Sequence, residues 1–325
     1  MKILAVDDEP FILELLPMLA AKTGFPDVTT AHSGDLALET LVQASAPFDC
    51  LLLDINMPGM DGIELCSRVR QLDRYEKTPI LMLTAMSERD HIDRAFKAGA
   101  TDYATKPFDI NELGARLRMV QSLLTARREA ELAKTSYAAS GASANRIHDF
   151  DLSEPILVDG IRDIVDFTAF KNYLKKTSSA GLAASQLIAV KIDGIEDIYA
   201  RATGDEFPYV LRETAQAISE VVRRTGGLIT YTGQGIFGVV SNSAAQLVAA
   251  DMESEVQFFL DERNLAYDSG APLDIEVSIG NSIQPTSGDD LDAPKSIDRA
   301  IARAEARSKT KHDGPPSINI RRHEP

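Results

Sequence analysis

Five short apolar runs, each followed by an amphipathic segment, fill residues 1 to about 124, and few architectures accept such an alternation. The runs "KILAV", "DVTTA", "DCLLLD", "PILMLT" and "TDYATK" read as strands. Between and after them, "FILELLPMLAAK", "SGDLALETLVQ", "DGIELCSRVRQL", "RDHIDRAFKAG" and "DINELGARLRMVQSLL" carry apolar residues at helical spacing. Strand followed by helix, repeated in this way, predicts an α/β unit with a doubly wound parallel sheet covered on both faces.

In such a sheet the loops at the carboxyl ends of the strands form the binding crevice. Asp7 and Asp8 follow the first strand, Asp54 ends the third, Thr84 the fourth and Lys106 the fifth. An acid after a strand is ordinarily a cap, and a Lys-Pro pair ordinarily closes a loop. Five polar residues converging on one edge instead point to a site. Crowded carboxylates repel one another unless a cation neutralises them, and Mg²⁺ suits a few carboxylates, waters and an incoming phosphate. Asp54 is then the candidate nucleophile toward a phosphoryl group, with Lys106 and the metal offsetting charge on its oxygens and Thr84 offering a hydroxyl.

The segments "VDDEP", "LLLDINMPGMDG", "LTA" and "TKPF" closely resemble the receiver domain of two-component response regulators over about the first 120 residues. That resemblance implies a flavodoxin-like sheet of order 2-1-3-4-5 and phosphorylation of Asp54 by a histidine kinase or phosphotransfer protein. It further implies Mg²⁺ held directly by Asp8, Asp54 and the Asn56 backbone carbonyl, with Asp7 helping through water. Thr84 and Tyr103 match the family's switch pair, and Pro107 matches its cis-peptide turn.

Beyond this domain (1–124), the last helix continues through "TARREAELAKTSY", and the small, polar "AASGASANR" is the candidate break, so 125–150 reads as a helical extension and linker. The extension is equally readable as a solvated linker or as part of a homodimer. A second, α+β domain occupies 151–320, with strands "QLIAVKID", "GLIT", "GIFGVV" and "DIEVSIGNSI" and helices near 164–176, 206–224, 244–262 and 294–311. Two of the strands flank the tight turn "YTGQG", which predicts a mixed, largely antiparallel sheet. The tail "HDGPPSINIRRHEP" adds at most an edge strand.

The second unit resembles the GGDEF domain of diguanylate cyclases in pieces: "DFTAFKN", "LIAVKIDGIEDIYARATGDEFPYVLRETAQAI" and "VSIGNSI". Its "GDEF" at 204–207 falls ahead of a long helix, too early for the catalytic loop, and Glu206 reads as an exposed residue of that helix's first turn. The family's loop corresponds to Gly233, Gln234, Gly235, Ile236 and Phe237, where the glycines suit positive φ and the acidic pair has become Gly235 and Ile236. On the same alignment Lys191 and Ile236 replace the two metal carboxylates, and Tyr199 and Pro208 replace the guanine contacts. Arg224 is what remains of the inhibitory R-x-x-D site. Lys309 or Lys311 reads as a solvated face rather than a phosphate-binding remnant. A cation and a hydrocarbon cannot hold Mg²⁺, so the resemblance implies a cyclase scaffold without its activity.

The expected function is a phosphorelay response regulator signalling through a catalytically inactive GGDEF-like domain to a protein partner or through dimerisation. The alternatives are an active divergent cyclase using Asp193, Glu196 or Asp205, and an effector that binds GTP or a cyclic dinucleotide. With 49 acidic against 34 basic residues, a formal charge of −15 argues against DNA. No apolar run approaches the roughly 18 to 20 residues that span a bilayer, which leads to the expectation of a cytoplasmic protein without a membrane partner. Cys50 and Cys66 read as small core residues rather than a disulfide.

Overall fold

The computed structural model describes residues 1–85, 89–139, 148, 150–161, 163–176, 185–241, 248–284 and 293–313. The chain divides into two compact units, Met1–Arg146 and Ile147–Pro325. Most of the predicted "AASGASANR" break and the whole "GPPSINIRRHEP" tail lie outside the described residues.

In the first unit, β1 (Ile3–Val6), β2 (Val28–Ala31), β3 (Cys50–Asp54), β4 (Ile80–Thr84) and β5 (Asp102–Thr105) form a parallel sheet of order β2-β1-β3-β4-β5. The helices are α1 (Pro10–Lys22), α2 (Gly34–Gln43), α3 (Gly62–Arg70), α4 (Arg89–Lys97) and α5 (Ile110–Ala139). β1, β3 and β4 are buried at every position, which is why they read as unbroken apolar runs rather than alternating ones. Ile3, Ala5, Leu52 and Leu81 share one core cluster with Leu16 and Ala20 of α1 and Leu113, Leu117 and Val120 of α5. The helix starts follow from local chemistry: the side chain of Ser33 accepts from Leu36 N–H ahead of α2, and that of Asp61 from Glu64 N–H ahead of α3. Cys50 and Cys66 are buried free thiols.

The second unit runs α6 (Phe167–Lys176), β6 (Gln186–Ile192), α7 (Ile195–Arg201), α8 (Glu206–Val222), β7 (Leu228–Gly233), β8 (Ile236–Ser241), α9 (Ala249–Asp261), β9 (Val277–Ile279) and α10 (Ala293–Asp313). Its sheet has the order β7-β8-β6-β9, and its three strand pairings are all antiparallel. One isolated parallel bridge, Ile164 to Ile229, adds to it. Alternate residues of these strands face opposite layers. Ile188, Val190, Ile192, Phe237, Val239 and Val277 pack with Leu211, Ile218, Met252 and Val256 of α8 and α9. On the other face, Gly238 lies against the Phe170 ring of α6, and Gly280 against the Arg303–Ala304 backbone of α10. No helix among the described residues is long and apolar enough to cross a membrane.

Candidate functional site

The carboxyl ends of β1, β3 and β5 bring Asp7, Asp54 and Lys106 together. Asp7 is fully buried and Asp54 nearly so, while Asp8 is half-buried. Lys106 Nζ sits 2.7 Å from Asp54 Oδ1 and 2.8 Å from Asp7 Oδ2, with Glu9 Oε1 at 3.7 Å. The Lys106–Pro107 peptide is cis. Burial raises the Asp54 carboxyl above its usual range even though the Lys106 ammonium and the Asn56 backbone N–H oppose the shift. Burial also disfavours the Lys106 ammonium, but its bonds to Asp54 and Asp7 outweigh that and raise it. One lysine thus serves two buried carboxylates. The oxygen donors gathered here are of the type that hard divalent cations take.

The loop after β3 is tight. Gly62 donates its N–H to the Ile55 carbonyl at 3.0 Å, and a Cβ at Gly62 would lie 1.9 Å from the Asp54 backbone oxygen. Gly62 is therefore a positioning residue for Asp54. Sequence reasoning passed over it, although the "PGMDG" run was the available signal.

Thr84 is buried at the end of β4, and Thr105 is its partner on β5. Tyr103 is buried too, its ring edge-on to Phe96 at 6.4 Å between centroids. Beside Tyr103, the buried Arg116 of α5 pairs with buried Asp102 and with Glu112. Burial pushes the Asp102 carboxyl up, against the pull of Arg116 and the Tyr103 N–H. The sequence offered no sign of this pair, since neither residue belongs to a motif.

In the second unit, Lys191 of β6 faces Ile236 of β8 as its direct cross-strand partner. The turn between β7 and β8 places Gly233, Gln234 and Gly235 all at positive φ. Both glycines are also sterically required. A Cβ at Gly233 would meet the Ser153 carbonyl oxygen at 2.4 Å, and one at Gly235 the Ile195 side chain at 2.6 Å. The Gln234 N–H donates to the Leu152 carbonyl at 2.6 Å, so the chain at 152–153 lies across this turn. Phe237 is fully buried, with the Tyr231 ring 5.2 Å away.

Tyr199 lies in an aromatic cluster. Its ring stands 4.0 Å from that of His148 and 4.8 Å from that of Phe207, its hydroxyl donates to the Phe150 carbonyl at 2.6 Å, and its own carbonyl contacts His148 Nε2 at 2.7 Å. Pro208 follows Phe207 in the first turn of α8, half-buried. Arg224 is exposed, 3.7 Å from Glu255. Glu196 and Asp205 are exposed, whereas Asp193 is buried.

Two expectations are corrected. Glu206 is buried rather than exposed: its carboxylate accepts from Thr203 N–H and from Asp268 N–H, each at 2.6 Å, while its own N–H donates to Thr203 Oγ1 at 3.4 Å. "TGDE" is thus a capping box, in which hydroxyl and carboxylate reciprocally satisfy backbone donors at a helix start. Lys311 is the second, being half-buried with its ammonium 3.5 Å from Asp193 and 3.2 Å from Glu276, whereas Lys309 is exposed.

Residues 3–118 match the family described as the response regulator receiver domain. The chemotaxis protein CheY of Pseudomonas aeruginosa is 39% identical over 120 residues, which are 37% of this chain and 95% of that protein. The transcriptional regulatory protein ResD of Bacillus subtilis is 40% identical over 117 residues, which are 36% of this chain and 46% of ResD. The chain thus spans about half the length of ResD and of similar transcriptional regulators that it matches. A solved structure of Vibrio cholerae chemotaxis protein CheY4 is 36% identical, with 37% of this chain and 97% of that one covered and a TM-score of 0.35. Through its amino-terminal domain, the chain belongs to the response regulator receiver family.

Proposed function

We propose that this chain is a phosphorelay response regulator, phosphorylated on Asp54 by a histidine kinase or phosphotransfer protein, whose second domain is a GGDEF-like scaffold without cyclase activity. The observation that carries the first part is Lys106 Nζ within 2.8 Å of both Asp54 and Asp7. Its charge is already placed where a phosphoryl group on Asp54 would need it. Asp8, Asp54 and the Asn56 carbonyl, with Asp7 through water, fit the oxygen-only donor set of Mg²⁺; once bound, the ion supplies further neutralisation of phosphoryl charge. A phosphoryl group adds nearly two negative charges beside Thr84 and Lys106. The reorganised packing passes to Tyr103, and from β5 to α5, which runs unbroken to Ala139.

For the second domain, the β-α-α-β-β-α-β order and the glycine turn between β7 and β8 support the scaffold. Lys191 and Ile236 in place of the metal acids argue against catalysis. So does the tying of Tyr199 to His148 and Phe150, and of the turn to Leu152. The output is then binding, through a protein partner or a second copy of the chain.

The test compares the parent chain with Asp54→Asn, each with and without acetyl phosphate and Mg²⁺. Sedimentation velocity and affinity capture read the oligomeric state and partners, and chromatography after incubation with GTP reads turnover. A change in association confined to the phosphorylated parent, with no nucleotide product, is expected. Samples that behave alike refute the switch, and a cyclic dinucleotide product refutes the silent domain.

A further inference from the structure

We propose that the second unit carries a transition-metal site made by Asp193, Glu276 and His312. Asp193 follows β6, Glu276 precedes β9, and His312 lies in the last turn of α10. The register of β6 with β9 pairs Ile192 with Val277, and the Asp193 N–H donates to the Glu276 carbonyl at 2.8 Å, which holds the two acids side by side. One carboxylate oxygen of each acid and a ring nitrogen of His312 all lie within 4.8 Å of one another. Donors to one ion at about 2.1 Å are themselves about 3 to 4 Å apart. Rotation of the exposed Glu276 and His312 side chains closes that difference.

Two observations beyond the clustering of acids point to an ion. Asp193 is only 6% exposed, and among the described residues its Oδ1 has no hydrogen-bond partner, although Oδ2 accepts from Ser278 Oγ at 2.8 Å. A buried carboxylate oxygen without a donor is costly, and an ion that Asp193 bound through it would remove that cost. His312 Nδ1 lies 2.9 Å from the Ser308 carbonyl. A carbonyl only accepts, so Nδ1 carries the proton and Nε2 keeps its lone pair. Metal-binding histidines are held in this way, with the second nitrogen donating to a carbonyl or carboxylate.

Two carboxylates and an imidazole select Zn²⁺ or a similar transition metal over Mg²⁺, which takes oxygen ligands. Lys311 is the competitor. Its ammonium lies 3.5 Å from Asp193 Oδ2, 3.2 Å from Glu276 Oε2 and 3.2 Å from the Val277 carbonyl. Half-buried on a flexible stem, it can withdraw toward solvent as the ion enters. The ion would then fasten β6, β9 and the end of α10 together.

The test is titration of tag-free, chelator-treated full-length protein with Co²⁺ and Zn²⁺, read by visible absorption and calorimetry. The Asp8→Asn, Asp54→Asn double variant serves as the background, to remove both direct carboxylate ligands of the receiver from the measurement. One equivalent of Co²⁺ is expected, displaced by Zn²⁺ but not by equal Mg²⁺. His312→Gln weakens it by more than the tenfold that loss of an outer partner typically causes, and Lys311→Met tightens it severalfold. Circular dichroism establishes that both variants, at the end of α10, remain folded. Absence of a bound equivalent, equal displacement by Mg²⁺, or unchanged affinity in His312→Gln overturns the assignment.

Discussion

Lys191 and Ile236 stand directly opposite each other across β6 and β8, and these are the two positions that the proposed GGDEF-like reading aligns with metal carboxylates. Ile236 is 3% exposed, so an acid introduced there would be buried next to the one cation its cross-strand neighbour provides. Ile236→Glu should destabilise the second unit, and more so in a Lys191→Met background. The coupling between the two changes, read in a denaturation cycle, should be about 0.2 to 1 kcal/mol, as for opposite charges paired across strands. The Lys191→Asp, Ile236→Glu double variant should still yield no product from GTP and Mg²⁺, because Tyr199 remains tied to His148 and Phe150.

Arg116→Met should destabilise the receiver unit by about 3 to 5 kcal/mol at neutral pH, since it leaves buried Asp102 charged and unpaired. Burial already raises the Asp102 carboxyl above its unfolded range. A group raised in this way favours the folded state at pH below its unfolded value, and that advantage is lost as pH rises through the folded value. The deficit of the variant, measured by urea denaturation, should therefore shrink toward acid pH.

Gly62→Ala should lower the rate of Asp54 phosphorylation by acetyl phosphate and destabilise the receiver by about 1 to 3 kcal/mol. Its methyl would overlap the Asp54 carbonyl oxygen, so the loop that aims the side chain must shift. Phosphorylation kinetics followed alongside thermal melting separate this from general unfolding. Gly59→Ala on the same loop meets no atom within 4 Å, and its effect should be limited to the strain of its positive φ.

Glu206→Gln should lower the melting temperature of the second unit at neutral pH. The N–H groups of Thr203 and Asp268 hold the Glu206 carboxyl below its usual range. Its stabilisation is present above the unfolded value and disappears as pH falls through the folded one. Parent and variant should accordingly converge in acid, as read by calorimetry at several pH values.

By itself the sequence determined the strand–helix alternation of the receiver, the convergence of Asp7, Asp54 and Lys106 at strand ends, and the glycine turn at Gly233 and Gly235. These follow from periodicity, strand burial on two faces and φ preference, which act over a few neighbouring residues. Only the tertiary structure decided what the second unit's polar residues do. Glu206 is tied to Asp268, His148 to Tyr199 and Lys311 to Asp193, contacts that span 51 to 118 positions of chain. A local pattern that marks a residue as exposed or as a remnant cannot register a partner that far away. Asp102 and Arg116 escaped for a related reason: a charge pair is buried only where the packing of α5 against β5 excludes water, and composition carries no trace of that.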